Sequence, residues 1–244
     1  MGRGLRTDRI DIPKLVLLVA AELFTAASLV AISFDGEWTR IALTAASLIF
    51  VPVPLFIEYL FRKKLTIVAF LIGISYSIGP MLGHAYNLYI ILPWWDKMLH
   101  LSAGVIFALL GIELARNLYR GKDDVDSNYL LLGLFGLCCS MALSVAWEFV
   151  EYGLDTWLRL DTQTDTVIHT IVSATLGRDA RIAEPVTNIN DVIVGGRSLG
   201  VGGYLDIGLI DTMQDLMVES LGAVIGAIPV IVRKGRHTVF RREK

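Results

Sequence analysis

Eight ionisable residues recur at helical spacing inside otherwise apolar segments of this 244-residue chain. Asp96 and His100 are four apart; Glu148, Glu151 and Asp155 follow at i, i+3 and i+7; Asp211, Asp215 and Glu219 stand at i, i+4 and i+8. Such spacings place each group on one face of a helix. Carboxylate oxygens and an imidazole nitrogen are the hard ligands that hold divalent cations inside helix bundles. A carboxylate in that setting can also act as a general base, because desolvation favours its taking a proton. The set that could hold a metal is Asp96, His100, Glu148, Glu151, Asp155, Asp211 and Asp215, with Glu148 and Glu151 as candidate catalytic bases.

Each group also has a plainer reading. Asp96 could pair with its neighbour Lys97 and His100 could bond an adjacent helix, while Glu148, Glu151 and Asp155 could form a solvated helix end. Like charges in a stripe repel, so in low dielectric they need protons or a cation. Glu219, near mid-span, needs a partner from another helix or a proton. His84 is a second imidazole candidate and His169 a weaker one, whereas His237 in the basic tail reads as solvated.

The elements that position these residues are membrane-length. Hydrophobic residues make up 54% of the chain, and apolar runs fall near 15–33, 41–60, 65–83, 98–118, 130–152 and 209–232. Each approaches the ~20 residues a helix needs to cross the hydrocarbon. The fold class expected is all-α, a single polytopic bundle of about six transmembrane helices. The first run follows basic residues as a signal peptide would, but it is longer than a usual signal core and reads as a retained helix.

Lys and Arg set the orientation. With the N-terminus inside, Arg3, Arg6, Arg9, Lys14, Arg62, Lys63, Lys64, Arg116, Arg120 and Lys122 join the basic tail from Arg233 on the cytoplasmic side, sixteen of 22 in all. Arg40, Lys97, Arg159, Arg178, Arg181 and Arg197 remain outside. Both termini are therefore expected in the cytoplasm, and the three charged stripes at the outer face. Trp38, Trp94, Trp95 and Trp157 lie beside the expected outer ends, where aromatic rings prefer the interface.

The connection 156–205 is the one long loop, expected to be a lid over the stripes or a disordered insertion. Its Gly-rich stretch, from Gly195-Gly196 to Gly202-Gly203, carries no phosphate-loop pattern. Cys138 and Cys139 are adjacent within a span and read as small fillers of a helix interface. Gly222 and Gly226, with Gly104, Ala108 and Gly111, are small residues that let helix backbones approach closely. Toward the inner side, Glu58 precedes Arg62 by four and Glu113 precedes Arg116 by three, which reads as helix-end ion pairing. Glu22 has no basic neighbour at helical spacing.

The strings WWDKMLHLSAGV, AWEFVEYGLD and GLIDTMQDLMVESLGA resemble the three signature regions of the YjdF-like bacterial inner-membrane proteins, with a more distant likeness to VanZ-like proteins. The resemblance runs over roughly residues 65 to 230. It maps Asp-x-x-x-His, Trp-Glu-x-x-Glu and Asp-Thr-x-x-Asp onto Asp96 and His100, Glu148 and Glu151, and Asp211 and Asp215. It implies a multi-pass protein of the bacterial plasma membrane and supplies no reaction.

Three functions fit these residues. A metal-dependent hydrolase would act on a lipid or an envelope precursor at the outer face. A cation- or proton-coupled transporter would use the same carboxylates with Glu22, Glu58 and Glu113 on the inner half. A non-catalytic scaffold would use them as struts. The K-x6-R-P, P-S-G-H and S-R-x5-H-x3-D elements of lipid-phosphate phosphatases are absent. The partner in every case is the lipid bilayer, and nothing points to nucleic acid.

Overall fold

A computed structural model describes residues 11–119, 128–177, 179 and 182–232. Arg3, Arg6, Arg9, Arg120, Lys122, Arg178, Arg181 and the tail from Arg233, His237 included, lie outside the described residues. Eight helices and six short strands follow in chain order: α1 (Ile12–Ser33), α2 (Trp38–Phe50), α3 (Val53–Phe61), α4 (Ile67–Ala85), α5 (Leu88–Ile91), α6 (Trp95–Leu118), α7 (Tyr129–Leu158), β1 (Thr166–Ile168), β2 (Ile171–Ser173), β3 (Glu184–Val186), β4 (Ile193–Val194), β5 (Arg197–Ser198), β6 (Tyr204–Asp206) and α8 (Leu209–Val232). Among the described residues six segments are long and apolar enough to cross a membrane, with α2 and α3 together forming the second.

That second span is interrupted, where an unbroken 41–60 helix was expected. Pro52 and Pro54 lack the N–H that would continue the ladder, and a proline ring clashes with the carbonyl four residues back. α2 therefore stops at Phe50, and α3 restarts with Pro54 in its first turn. α3 ends at Arg62, which takes the left-handed conformation at φ 52°. The next helix opens on Thr66, whose hydroxyl accepts the Ala69 N–H at 3.2 Å.

The chain divides into two compact units, residues 1–144 with 218–244, and residues 145–217. α7 and α8 each run from one unit into the other. In the first unit, α1, α2 and α4 pack together and α4 also meets α3, α5 and α6. Phe70 and Val51 are fully buried there with Leu65, Ala69, Ile74 and Ala21. A second cluster joins Ile112 and Ala115 of α6 to Leu132 of α7 and Val230 of α8. Large apolar side chains such as Leu23, Phe56, Leu60, Val68 and Leu221 are exposed, as lipid-facing helix surfaces require.

Small residues set how closely the helices approach. A Cβ at Gly104 of α6 would collide with the carbonyl oxygen of Glu219, and one at Gly222 with that of Leu101. A Cβ at Gly226 would stand 2.8 Å from the Val105 oxygen, and one at Gly136 of α7 2.6 Å from the Ala108 oxygen. The expected Gly-x-x-x-Gly and small-residue stripes thus meet, backbone against backbone. Cys139 packs against Gly111, but Cys138 is exposed, one position round the helix on its outward face.

The second unit holds the 156–205 connection, which forms three two-stranded antiparallel ladders rather than a disordered insertion: β1 with β6, β2 with β3, and β4 with β5. Gly195 and Gly196, at φ 58° and 82°, make the tight turn between β4 and β5. Two consecutive positive φ values are what a two-residue hairpin turn needs, and glycine supplies them without steric cost.

Candidate metal and polar site

On α6, α7 and α8 many polar and small residues are buried beside the apolar Leu99, Ile112, Leu132 and Val230, while large apolar side chains are exposed on the outward faces. α6 buries His100, Ala103, Gly104, Ala108 and Gly111; α7 buries Ser140, Ser144 and Glu148 at successive four-residue steps; α8 buries Asp215, Glu219, Gly222, Ala223, Gly226 and Ala227.

Within the first unit, Gly104 is where three helices come together. Its carbonyl accepts the Ser140 hydroxyl at 3.1 Å, and its missing side chain admits the Glu219 backbone. One turn away, His100 is 4% exposed and Glu219 1%. The Nδ1 of His100 lies 3.4 Å from Glu219 Oε2, and its Nε2 lies 3.7 Å from Asp96 Oδ1. Asp96 Oδ2 receives Lys97 at 3.2 Å. The interhelical partner expected for Glu219 is thus His100. Glu219 Oε1 is buried and has no hydrogen-bond partner among the described residues.

This arrangement orients the imidazole. A carboxylate on one ring nitrogen fixes the tautomer and turns the other nitrogen toward a ligand, as in carboxylate–histidine–metal sites. Glu219 sits on Nδ1, so Nε2 faces Asp96.

Within the second unit, Asp155 holds the turn that leaves α7. Its Oδ1 accepts the Thr162 N–H at 2.7 Å and the Thr162 hydroxyl at 2.6 Å, and its Oδ2 accepts the Gln163 N–H at 3.0 Å. The Thr162 hydroxyl also reaches the Glu151 carbonyl at 3.2 Å. The same segment is tied to the start of α8, where Asp211 Oδ2 accepts the Thr164 N–H at 2.8 Å and Gln163 Nε2 donates to the Thr212 hydroxyl. Asp206 Oδ2 accepts the Ile210 N–H at 2.8 Å, adding a donor-capping carboxylate before α8.

The segment Asp161-Thr162-Gln163-Thr164-Asp165 therefore bridges the ends of α7 and α8. Partial desolvation, followed by the charges of Asp155 and Asp211, raises the Asp161 pKa above the ordinary carboxylate value. Asp165 is raised by desolvation first, then by Asp161, Asp206 and Asp155. These residues belong to no helical stripe, and their signal in the sequence is an Asp-x-x-x-Asp string outside any helix.

His84 lies edge-on to Tyr89 at 4.9 Å. His169 bonds the Ile189 carbonyl through Nδ1 at 3.0 Å, while its own carbonyl accepts the Ile189 N–H at 3.1 Å. Trp95 bonds the Gly79 carbonyl at 3.1 Å, stitching α6 to α4. Gly196-Arg197-Ser198-Leu199-Gly200 spells the G-x-S-x-G of serine hydrolases, yet Ser198 lies in a hairpin strand and its hydroxyl donates to Asp191 at 2.6 Å. A nucleophile elbow needs a strand-to-helix turn, which this is not.

The basic end of the first unit departs from the expected pairing. Glu58 accepts Lys14 Nζ at 2.5 Å and the Leu65 N–H at 2.9 Å, and pairs with Lys64 at 3.1 Å. Arg62 is not its partner, because the left-handed turn at Arg62 ends the helical register that i, i+4 pairing requires. Glu113 pairs with Arg116 at 3.4 Å as expected, and also with Lys63.

Six membrane-length segments and these charged stripes coincide with a family match covering residues 15–236, described as predicted membrane proteins (DUF2238). The chain belongs to this family. The YjdF-like resemblance is to the same DUF2238 group. No curated protein and no solved structure matches this DUF2238 member.

Proposed function

We propose that this membrane protein binds a divalent cation at the His100 and Asp96 pair, the other carboxylates of the sequence stripes, Glu148, Glu151, Asp211 and Asp215, being further candidate ligands. The carrying observation is the buried His100, held on Nδ1 by Glu219 and turned toward Asp96 on Nε2. An imidazole oriented by a buried carboxylate is the form in which histidine serves metals. Asp155 belongs to the turn instead, since both its oxygens already accept hydrogen bonds.

The activity best served by such a site is hydrolysis of an ester or phosphoester in a lipid or envelope precursor of the bacterial plasma membrane. The cation would lower the pKa of a bound water and neutralise charge on the attacked oxygen. Glu148 or Glu151 would take the proton from that water as its oxygen bonds to the reacting centre, then return it to the leaving oxygen as the old bond breaks.

The test is metal analysis of detergent-purified protein, freed of loosely bound ions, for wild type beside His100→Gln and Asp215→Asn, followed by Glu148→Gln assayed on lipid phosphoesters. Near-stoichiometric metal lost in both variants, with turnover abolished by Glu148→Gln, is expected. A folded, metal-free wild type, or metal retained in both variants, overturns the site. Turnover unchanged by Glu148→Gln overturns its role.

A further inference from the structure

The first unit contains a shallow apolar crevice between α3, α4 and α6. Pro54, Ile57, Leu65, Tyr76, Phe107 and Leu110 are among its lining residues. Its walls suit hydrocarbon. Ser77 is buried and its hydroxyl already bonds the Phe50 and Gly73 carbonyls, both at 2.9 Å, and Tyr76 packs edge-on to Phe107 at 5.9 Å.

One end of this crevice runs into the charged cluster. Leu65 follows Lys63 and Lys64 directly and its carbonyl accepts Lys14 at 2.6 Å; Ile57 precedes Glu58; Leu110 lies one turn before Glu113. Among the described residues five cations gather there, Lys14, Arg62, Lys63, Lys64 and Arg116, against three carboxylates, Asp11, Glu58 and Glu113. Lys14 is 2% exposed and locked among its partners, but Arg62 is exposed and the Lys64 side chain is 41% exposed. The cationic excess therefore lies where the crevice meets the polar boundary.

We infer that this end of the protein is a binding site for an anionic phospholipid, with one acyl chain in the crevice and the headgroup phosphate at Arg62 and Lys64. A hydrocarbon slot alone would accept any lipid, and a surface charge alone any anion. Their continuity through Leu65 selects a molecule with an apolar chain on one side and a negative charge on the other. Basic residues flanking a span attract anionic lipid by roughly fivefold in affinity per cation. The site lies at the other end of α6 from His100 and does not depend on the metal site.

The experiment places full-length protein in phosphatidylcholine nanodiscs containing a trace of phosphatidylglycerol that carries a photoreactive acyl chain. Crosslinks are mapped, and competition with unlabelled lipids is measured. Crosslinks at Tyr76 or Phe107, with phosphatidylglycerol competing at least about fivefold better than phosphatidylcholine, are expected. Arg62→Gln with Lys64→Gln should erase the preference for the anionic lipid, and Ile72→Trp, which enlarges another residue lining the crevice, should erase the crosslink. Equal competition by the two lipids, crosslinks elsewhere, or full competition by glycerol phosphate lacking acyl chains would each overturn the proposal. The wild-type crosslink map and competition decide it even where a variant fails to fold.

Discussion

Glu219 Oε2 of α8 meets His100 Nδ1 of α6 at 3.4 Å, two buried ionisable groups separated by 119 residues in the chain. Helix backbones can bring them together only because Gly104, one turn beyond His100, has no side chain to hold α8 away.

Removing one member of this pair should cost more than removing both. His100→Ala strands a buried glutamate and is expected to lower stability by about 3 kcal/mol or more. His100→Leu with Glu219→Leu should recover much of that loss. A double-mutant cycle from denaturation in detergent measures the coupling, and simple additivity would show that the pair does not interact.

Gly104→Ala is expected to destabilise by about 3 kcal/mol, the upper end of overpacking costs, because the added Cβ meets backbone rather than a flexible side chain. Thermal unfolding checks this. Gly195, a positive-φ glycine with open space around it, serves as the comparison, since Gly195→Ala adds local backbone strain without a collision. Equal losses at the two sites would contradict the close helix crossing.

At the basic end, Glu58→Leu leaves buried Lys14 with only the Asp11 carboxylate, at 3.8 Å, and should cost about 3 kcal/mol, whereas Lys14→Met with Glu58→Leu should recover part of that loss, the rest being the buried Leu65 N–H and carbonyl left without these partners. Lys14 also lies 5.3 Å from the centroid of the Phe70 ring, so Lys14→Met keeps an apolar stem against it. Chemical denaturation of the four proteins settles the sign.

Asp155→Ala releases the Thr162 and Gln163 N–H groups and should loosen the 161–165 segment by about 1–3 kcal/mol. Faster amide exchange and proteolysis confined to that segment are the expected signature. Unchanged protection there would remove Asp155 as the clamp of the turn.

The segment should also respond to pH. Asp161 and Asp165 have folded pKa values above the ordinary carboxylate value of about 3.9, so between the two values the folded state binds more protons than the unfolded one. Their protonated form contributes stability that is complete below the unfolded value and is lost as pH rises through the folded value. Asp161→Asn should therefore raise the melting temperature at neutral pH, with the gain vanishing toward pH of about 3. A gain that grew on acidification would reverse the sign and refute the assignment.

The sequence by itself determined the spans, because each requires only ~20 consecutive apolar residues and carries that requirement locally. It also determined which residues share a face, since Asp211, Asp215 and Glu219, or Ser140, Ser144 and Glu148, are aligned by the helix repeat alone. The glycine stripes announced that helices would touch closely. Tertiary structure decided who meets whom. Burial obliges a charge to find a partner but does not name it, so Glu58 could be read as pairing with Arg62 until the turn at Arg62 and the approach of α1 gave it Lys14, 44 residues away. The same holds for His100 and Glu219. Local periodicity is a property of one helix. Pairing in a low-dielectric interior belongs to the packing of several, and the few ångströms that separate their backbones decide it.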